Sequence, residues 1–323
     1  MNTAEMLAAI AKLRVLIVGD LALDRWCRYD PALADVSRET GIPRIAVVAA
    51  ECTPGAAGTV AGNVAALGAQ ATLLSAIGPD GYGFEVRRAL RERGIEDRLV
   101  EWPGFATFTY TKLINARTGA EDLPRVDFVN PRALPRELEG EIVRRFAAEA
   151  PAFDLVLVSD QAETPEGGIV TPVLREAIAH FAEESPARLV WVDSRLHTEL
   201  FRGVIVKPNR AEAEAASKRA LGRIDFAGLR RLLRAPLLFV TQGEEGVAVV
   251  GESGSEFVPA RRIARPVDIC GAGDSFTAGA ALAFQVTGDA IEAARFGNLV
   301  ASITVMKRGT GTASPAEVLA ASE

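Results

Sequence analysis

Short apolar runs alternating with helix-period segments predict an α/β protein built on a doubly wound parallel sheet. Two observations carry that expectation. Runs rich in Val, Ile and Leu recur between segments whose apolar positions fall at helical spacing, and no repeat or low-complexity linker interrupts the alternation. RVLIVG (14–19) opens the series as a buried strand, and the small-residue stretch 56–67 reads as its first helix. ATLLSAI (71–77) is the next strand, followed by helical patterns over 82–93 and 134–148. DLVLVS (154–159), a helix over 169–183, RLVWVD (188–193) and GVIVK (203–207) continue the alternation. Helices over 210–217 and 224–234 lead to LLFVT (237–241).

Two stretches break the pattern. PRIAVVAAEC (43–52), and FATFTYTKLINA (105–116) with RVDFV (125–129), are rich in β-branched and aromatic residues, and no helix separates the latter two. They predict a small antiparallel sheet projecting as a lid, from about 38–53 and 104–130. A sheet of that size needs support from the main sheet, a ligand or a second copy, so a homodimer through the lid is an expectation. One domain over 1–323 with this lid is preferred to two independent units.

A formal net charge of −6 gives no electrostatic reason to expect nucleic acid or an anionic membrane as a partner. The N-terminal MNTAEMLAAIAKL lacks the layout of a signal peptide, and no run approaches a membrane span. Three cysteines, Cys27, Cys52 and Cys270, form neither a disulfide framework nor a CxxC pair, which suits a reducing cytoplasm. Cys270 reads as a small buried apolar residue rather than a nucleophile. With only His180 and His197 present, a multi-histidine metal site is excluded, and His180 reads as a surface residue of its helix.

Glycine-rich loops are the next test, because nucleotides are commonly held by them. GxxxxGK[ST] is absent, and the first strand runs into GDLALD rather than GxGxxG, which argues against a dinucleotide oxidoreductase. Two glycine-rich helix starts remain, PGAAGTVAGN (54–63) and CGAGDSF (270–276). In the second, the amides of Gly271, Ala272 and Gly273 converge at a helix N-terminus and offer an anion hole. Asp274 beside them is either a capping residue or a base that accepts a proton.

VDICGAGDSFTAG (267–279) resembles the C-terminal signature of the ribokinase/PfkB family of carbohydrate kinases, usually worded DTxGAGD. GDLALDRW (19–26), GNVAALGAQATLLSAIGPDGYG (62–83), KPNRAE (207–212) and VTQGEEGVAVV (240–250) are similar to further family segments in the same order. Within the family, VSRETGIPRIAV, PGAAGTVAGNVAALGA, PRVDF and LVLVSD most resemble kinases of D-glycero-D-manno-heptose 7-phosphate. Many of those carry a fused adenylyltransferase with an HxGH motif. HxGH is absent here, so the kinase half alone is expected.

The resemblance implies a ribokinase-like three-layer α/β/α fold and ATP-dependent phosphorylation of a sugar or sugar-phosphate hydroxyl. It assigns Asp274 as base, with the 271–273 amides stabilising the transferring group. It implies Asp24, Asp20, Gly55, Thr59, Asn63 and Arg125 as substrate residues, with Asp20 also readable as a turn cap and Asn63 as packing. Arg195 joins Arg125 as a partner for a sugar phosphate or for surface carboxylates. Asn209, Thr241, Gly243, Gly246 and Asn298 are implied at the nucleotide. Glu212 is implied at Mg²⁺ through water, although Asn209 and Glu212 also have capping-box spacing. Asp268 is implied at a K⁺ site. The departures from the pattern are Ala56 in place of a second glycine, Thr59 in place of an asparagine, and SDQAETPEGG with VDSR beside the sugar pocket. They leave a non-catalytic sugar-binding or regulatory protein as the alternative reading.

Overall fold

The computed structural model describes residues 1–161, 163–164 and 166–322. Among them, nine strands form one sheet. Their spatial order is Ser255–Pro259, Gly246–Val250, Leu238–Thr241, Ile205–Val206, Leu189–Ser194, Leu155–Asp160, Arg14–Gly19, Gln70–Leu74 and Glu96–Asp97. The seven from Leu238–Thr241 onward pair in parallel, and the first two close one edge as an antiparallel hairpin. The chain winds outward from Arg14–Gly19 to one edge and then returns to Leu155–Asp160 on its other side. The sheet therefore changes direction at its first strand, and ligands in such folds bind beyond the carboxyl ends of the strands there.

Both faces of the sheet are covered, which is why its strands read as nearly continuous apolar runs. Within Arg14–Gly19, Val15 and Ile17 join a core with helices Ala57–Ala66, Ala272–Thr287 and Ala290–Thr304. Leu16 and Val18 point the other way, into a core with helices Arg136–Glu149, Pro172–Glu184, Arg210–Leu221 and Phe226–Leu233. This is the three-layer arrangement expected from the sequence. The expected strand 71–77 is split at Ser75, whose Oγ donates to Gly19 O at 2.6 Å. The helix expected from 169 starts at Pro172, because Thr171 caps it by accepting from Leu174 N at 3.2 Å. Helices Ala272–Thr287 and Ala290–Thr304 cross closely, since a Cβ at Gly279 would lie 2.9 Å from Val300 Cγ2 and one at Gly297 2.9 Å from Ala280 Cβ.

A second sheet of four strands stands on the carboxyl side, in the order Val126–Phe128, Phe108–Asn115, Leu21–Tyr29 and Val47–Ala56. The expectation of an antiparallel lid from 38–53 and 104–130 is corrected in two respects. Leu21–Tyr29 is an inner strand of this sheet, and Phe108–Asn115 pairs with it in parallel. The sequence hides that strand because a single residue, Asp20, separates it from Arg14–Gly19, so the two strands read as one strand and a turn. Gly19 permits the break. Its φ is +148°, and a side chain there would run into the Ser159 carbonyl.

Val47–Ala56 passes into helix Ala57–Ala66 with equal abruptness. Ala56 makes this junction at φ 52°, ψ −119°, in a region open to glycine but strained for alanine. Relief of such strain is worth ~1–3 kcal/mol, against ~0.5–1 kcal/mol for the added freedom of an unfolded glycine. Ala56→Gly is therefore expected to stabilise the protein by about 1 kcal/mol in urea denaturation. An unchanged or lower midpoint would contradict a strained Ala56.

Candidate active site

Where the two sheets face each other lies a cleft bordered by Asp24, Thr59, Tyr110, Lys112, Arg125, Arg195, Gly271 and Asp274, among others. Asp24 enters it from the inner strand Leu21–Tyr29, opposite Tyr110 on one side and Thr53 on the other. Gly55 makes room for it, since a Cβ at residue 55 would stand 2.5 Å from Asp24 Oδ1. Burial pushes the Asp24 carboxyl up to about 6, against the pull of Lys112 and Arg125.

Asp274 lies in the first turn of helix Ala272–Thr287, where Gly271 is the cap residue with φ 77°. The cap reading of Asp274 is thereby set aside: Gly271 holds that position. Burial raises the Asp274 carboxyl to about 7, helped by Asp193 and Asp24 and opposed by Lys207 and Arg195. One expected anion-hole donor is otherwise engaged, because the Ala272 amide donates to Ile269 O at 3.2 Å and so closes the turn. Among the described residues, the Gly271 and Gly273 amides have no recorded protein acceptor, and these are the donors left for an anion.

Three of the expected substrate residues make hydrogen bonds within the protein. Asp20 does not border the cleft. Its Oδ1 and Oδ2 accept from the main-chain amides of Ile169 and Gln161 at 2.6 and 2.7 Å, which makes it a brace for the 161–169 segment. Asn63 is fully buried, its amide donating to Thr59 O at 3.0 Å while its Oδ1 has no hydrogen-bond partner among the described residues. Thr59 does border the cleft, but its hydroxyl donates to Pro54 O at 3.2 Å and presents lone pairs only. Cys270, expected to be a buried packing residue, is half-buried and borders the cleft. His180 is exposed beside Glu184, as expected.

The segments expected at the nucleotide meet at the carboxyl ends of adjacent strands. Thr241 N donates to Pro208 O at 3.1 Å, next to Asn209. Asn209 and Glu212 form a complete capping box, Glu212 N donating to Asn209 Oδ1 at 2.9 Å and Asn209 N to Glu212 Oε2 at 2.7 Å. Gly243 and Gly246 have φ of 58° and 129°, and the Val258 carbonyl blocks any side chain at 246. The Asn298 amide donates to Pro259 O at 3.2 Å, tying the edge hairpin to helix Ala290–Thr304. Asp268 also serves as a brace, accepting from Cys270 N at 2.9 Å and Gly309 N at 3.1 Å.

For a divalent cation, the donor set is thin. Burial and the neighbouring Asp193 raise the Glu212 carboxyl, and one of its oxygens is used in the capping box. Among the described residues no three His, Cys, Asp or Glu side chains are grouped to hold a metal. One carboxylate edge fits an ion that keeps most of its waters, as Mg²⁺ does.

Sequence reasoning passed over Lys112, Tyr110 and Glu163. Lys112 and Tyr110 share one face of strand Phe108–Asn115, and that period of two was the available signal. Glu163 Oε1 holds Arg195 at 2.8 Å and approaches Arg125 at 3.8 Å. Arg125 also pairs with Asp127 at 2.6 Å and lies over the Tyr110 ring at 5.2 Å.

The profile of the pfkB family carbohydrate kinase matches residues 24–317. The chain belongs to the pfkB family of carbohydrate kinases. As a family member it is a sugar kinase, and kinases of this family use ATP. Bifunctional protein HldE of Trichlorobacter lovleyi is 32% identical over 321 residues, covering 96% of this chain and 62% of that protein. The pfkB chain thus spans less than two thirds of this relative. Ribokinase from Thermotoga maritima superposes with a TM-score of 0.71 at 22% identity, over 96% of this chain and 99% of its own. Phosphofructokinase-2 from Escherichia coli, solved with potassium, gives 0.73 at 20% identity over 95% and 97%. These likenesses give the ribokinase-like fold. Among the described residues no helix is long and apolar enough to cross a membrane.

Asp274 binds its proton more tightly folded than unfolded. Its share of stability is complete below pH about 4 and is lost as pH rises through about 7. Asp274→Asn, neutral throughout, is expected to exceed wild type in stability at pH 8 by ~1–3 kcal/mol, less than the full shift implies because the cleft admits solvent. The advantage should vanish at pH 4. Equal stabilities at both pH values in urea melts would contradict the raised carboxyl.

Proposed function

We propose that this kinase transfers the γ-phosphoryl group of ATP to a hydroxyl of a sugar phosphate resembling heptose 7-phosphate. The observation that carries the reading is the composition of one cleft. It joins a carboxyl with a raised pKa and open helix-start amides to two arginines that both approach Glu163, Arg125 being paired with Asp127 as well. A phosphate dianion can replace Glu163 between Arg125 and Arg195 and satisfy both guanidinium groups by bidentate pairing. Likeness to HldE supports a heptose acceptor for the kinase half alone.

Asp24 accepts from an acceptor hydroxyl and fixes the sugar. Asp274 takes the proton of the attacking hydroxyl as its oxygen bonds to the γ-phosphorus and the bond to the ADP oxygen breaks, the electron pair leaving with ADP. The Gly271 and Gly273 amides stabilise charge on the group in transit. Mg²⁺ bound with ATP would screen the phosphate charge, and Glu212 is the residue that would hold it, through water. Braced as it is, Asp268 contributes to K⁺ binding only through its remaining lone pairs.

The second sheet gives the homodimer its support. Val47 and Val48 are about half exposed on the outer strand Val47–Ala56, and Val126 and Phe128 on the opposite edge, as an edge awaiting another copy would have them. Static light scattering is expected to give twice the 323-residue mass at micromolar concentration, and a mass that stays monomeric across a dilution series would sink the dimer.

An ATP-consumption screen over free and phosphorylated sugars, with and without K⁺, tests the reaction. Turnover is expected with phosphorylated acceptors, with kcat/KM falling below pH about 7. Asp274→Asn should lower kcat by at least ~10²- to 10⁴-fold while ATP binding persists. Undiminished turnover in that variant would overturn the assignment of the base, and sugar binding without any turnover would favour the non-catalytic reading.

A further inference from the structure

Neither backbone torsion nor crowding requires a glycine at Gly273. It occupies the first turn of helix Ala272–Thr287, where glycine is a poor helix former, and its φ is not positive. Crowding does not demand it either. Beyond its chain neighbours and its own helix, the nearest heavy atom to a Cβ built there is Lys207 Nζ, at 3.9 Å. What glycine leaves is open room at the mouth of the helix, bordered by an ammonium.

Lys207 is only 3% exposed. Its Nζ lies 2.9 Å from Asp193 Oδ2, and the same oxygen accepts from Thr277 Oγ1 at 3.1 Å, one helical turn beyond Gly273. The ammonium is therefore latched to the helix whose start it borders. Burial pulls its pKa down, but the charge and hydrogen bond of Asp193, with Glu212 and Asp274 nearby, more than offset this and keep it protonated. An ammonium has three donors, and Asp193 is its one recorded ionic partner among the described residues. A buried ion pair stabilises a fold little compared with an apolar pair of equal size, so stability alone does not account for it.

We propose that Lys207 is a further catalytic residue of this kinase: its ammonium donates to the phosphoryl group in transit, in the open space above Gly273. Lys207 completes the hole that the Gly271 and Gly273 amides begin, and supplies a buried, fixed cation at the helix start. It keeps its proton throughout and forms no bond to phosphorus. Asp193 is its positioning residue. The inference rests on the phosphoryl-transfer reading above.

Calorimetry of ATP and ADP binding, beside acceptor turnover, tests it in Lys207→Met and Lys207→Arg. Lys207→Met is expected to weaken ATP binding at least tenfold, leave ADP binding unchanged and lower kcat by ~10²- to 10³-fold with acceptor KM little altered. Lys207→Arg should recover part of the loss. Turnover within threefold of wild type, or equal weakening of ATP and ADP, would overturn the proposal. If Lys207→Met leaves Asp193 unpaired and fails to fold, the double variant Lys207→Met/Asp193→Asn removes the whole pair and is read by the same comparison. If wild type phosphorylates no acceptor, the sugar-kinase reading fails, while the ATP-to-ADP comparison still decides whether Lys207 meets the γ-phosphate.

Discussion

Asp20 joins the parts of this molecule. Its amide donates to Ser159 O at 2.9 Å, its carbonyl accepts from Ala57 N at 2.8 Å, and its carboxylate holds the amides of Gln161 and Ile169. One residue thus ties the main sheet, the first helix of the glycine-rich motif and the segment carrying Glu163. It is also where the chain leaves one sheet for the other. Without that change of sheet Asp24 would continue the main sheet instead of crossing the cleft toward Asp274. A buried carboxylate that accepts main-chain amides is among the more stabilising polar arrangements, and here it shapes the site through the 161–169 backbone.

The electrostatics of the cleft follow from burial more than from net charge. Asp24, Asp193, Glu212 and Asp274 lie near enough to influence one another, and Lys207 is the buried cation among them. Three of these carboxyls are raised, so the cleft favours bound protons more than free carboxylates would. The paired arginines show the converse. Arg125 and Arg195 are balanced by Asp127 and Glu163, which keeps the opening of the cleft near neutrality.

The main sheet was legible from its sequence because burial on both faces leaves a continuous apolar signature, with strands such as 14–19 read to the residue. The GAGD helix start was legible because its chemistry resides in backbone amides that only small residues expose. Leu21–Tyr29 was not, since a change of sheet accomplished by one glycine torsion leaves no stretch of turn residues behind. Asp24 read as the sugar ligand and Asp20 as a residue of the local turn. The main-chain partners of Asp20 lie 141 and 149 positions away, and no local pattern carries that information. The Ala272 amide was misassigned for the opposite reason: a turn bond to Ile269, three residues back, competes for it.

The junctions at Asp20 and at Ala56–Ala57 have a mechanical corollary. Two strands of the second sheet enter the body with no slack, so any tilt of that sheet is a rotation about its root rather than a translation. At about 3.3 Å per residue, Asp24 sits roughly 13 Å along the lever arm and Tyr29 roughly 30 Å. A given angle therefore displaces the far end of the strand more than twice as far as the carboxylate. A tilt that carries the far end across the mouth of the cleft moves Asp24 less than half as far.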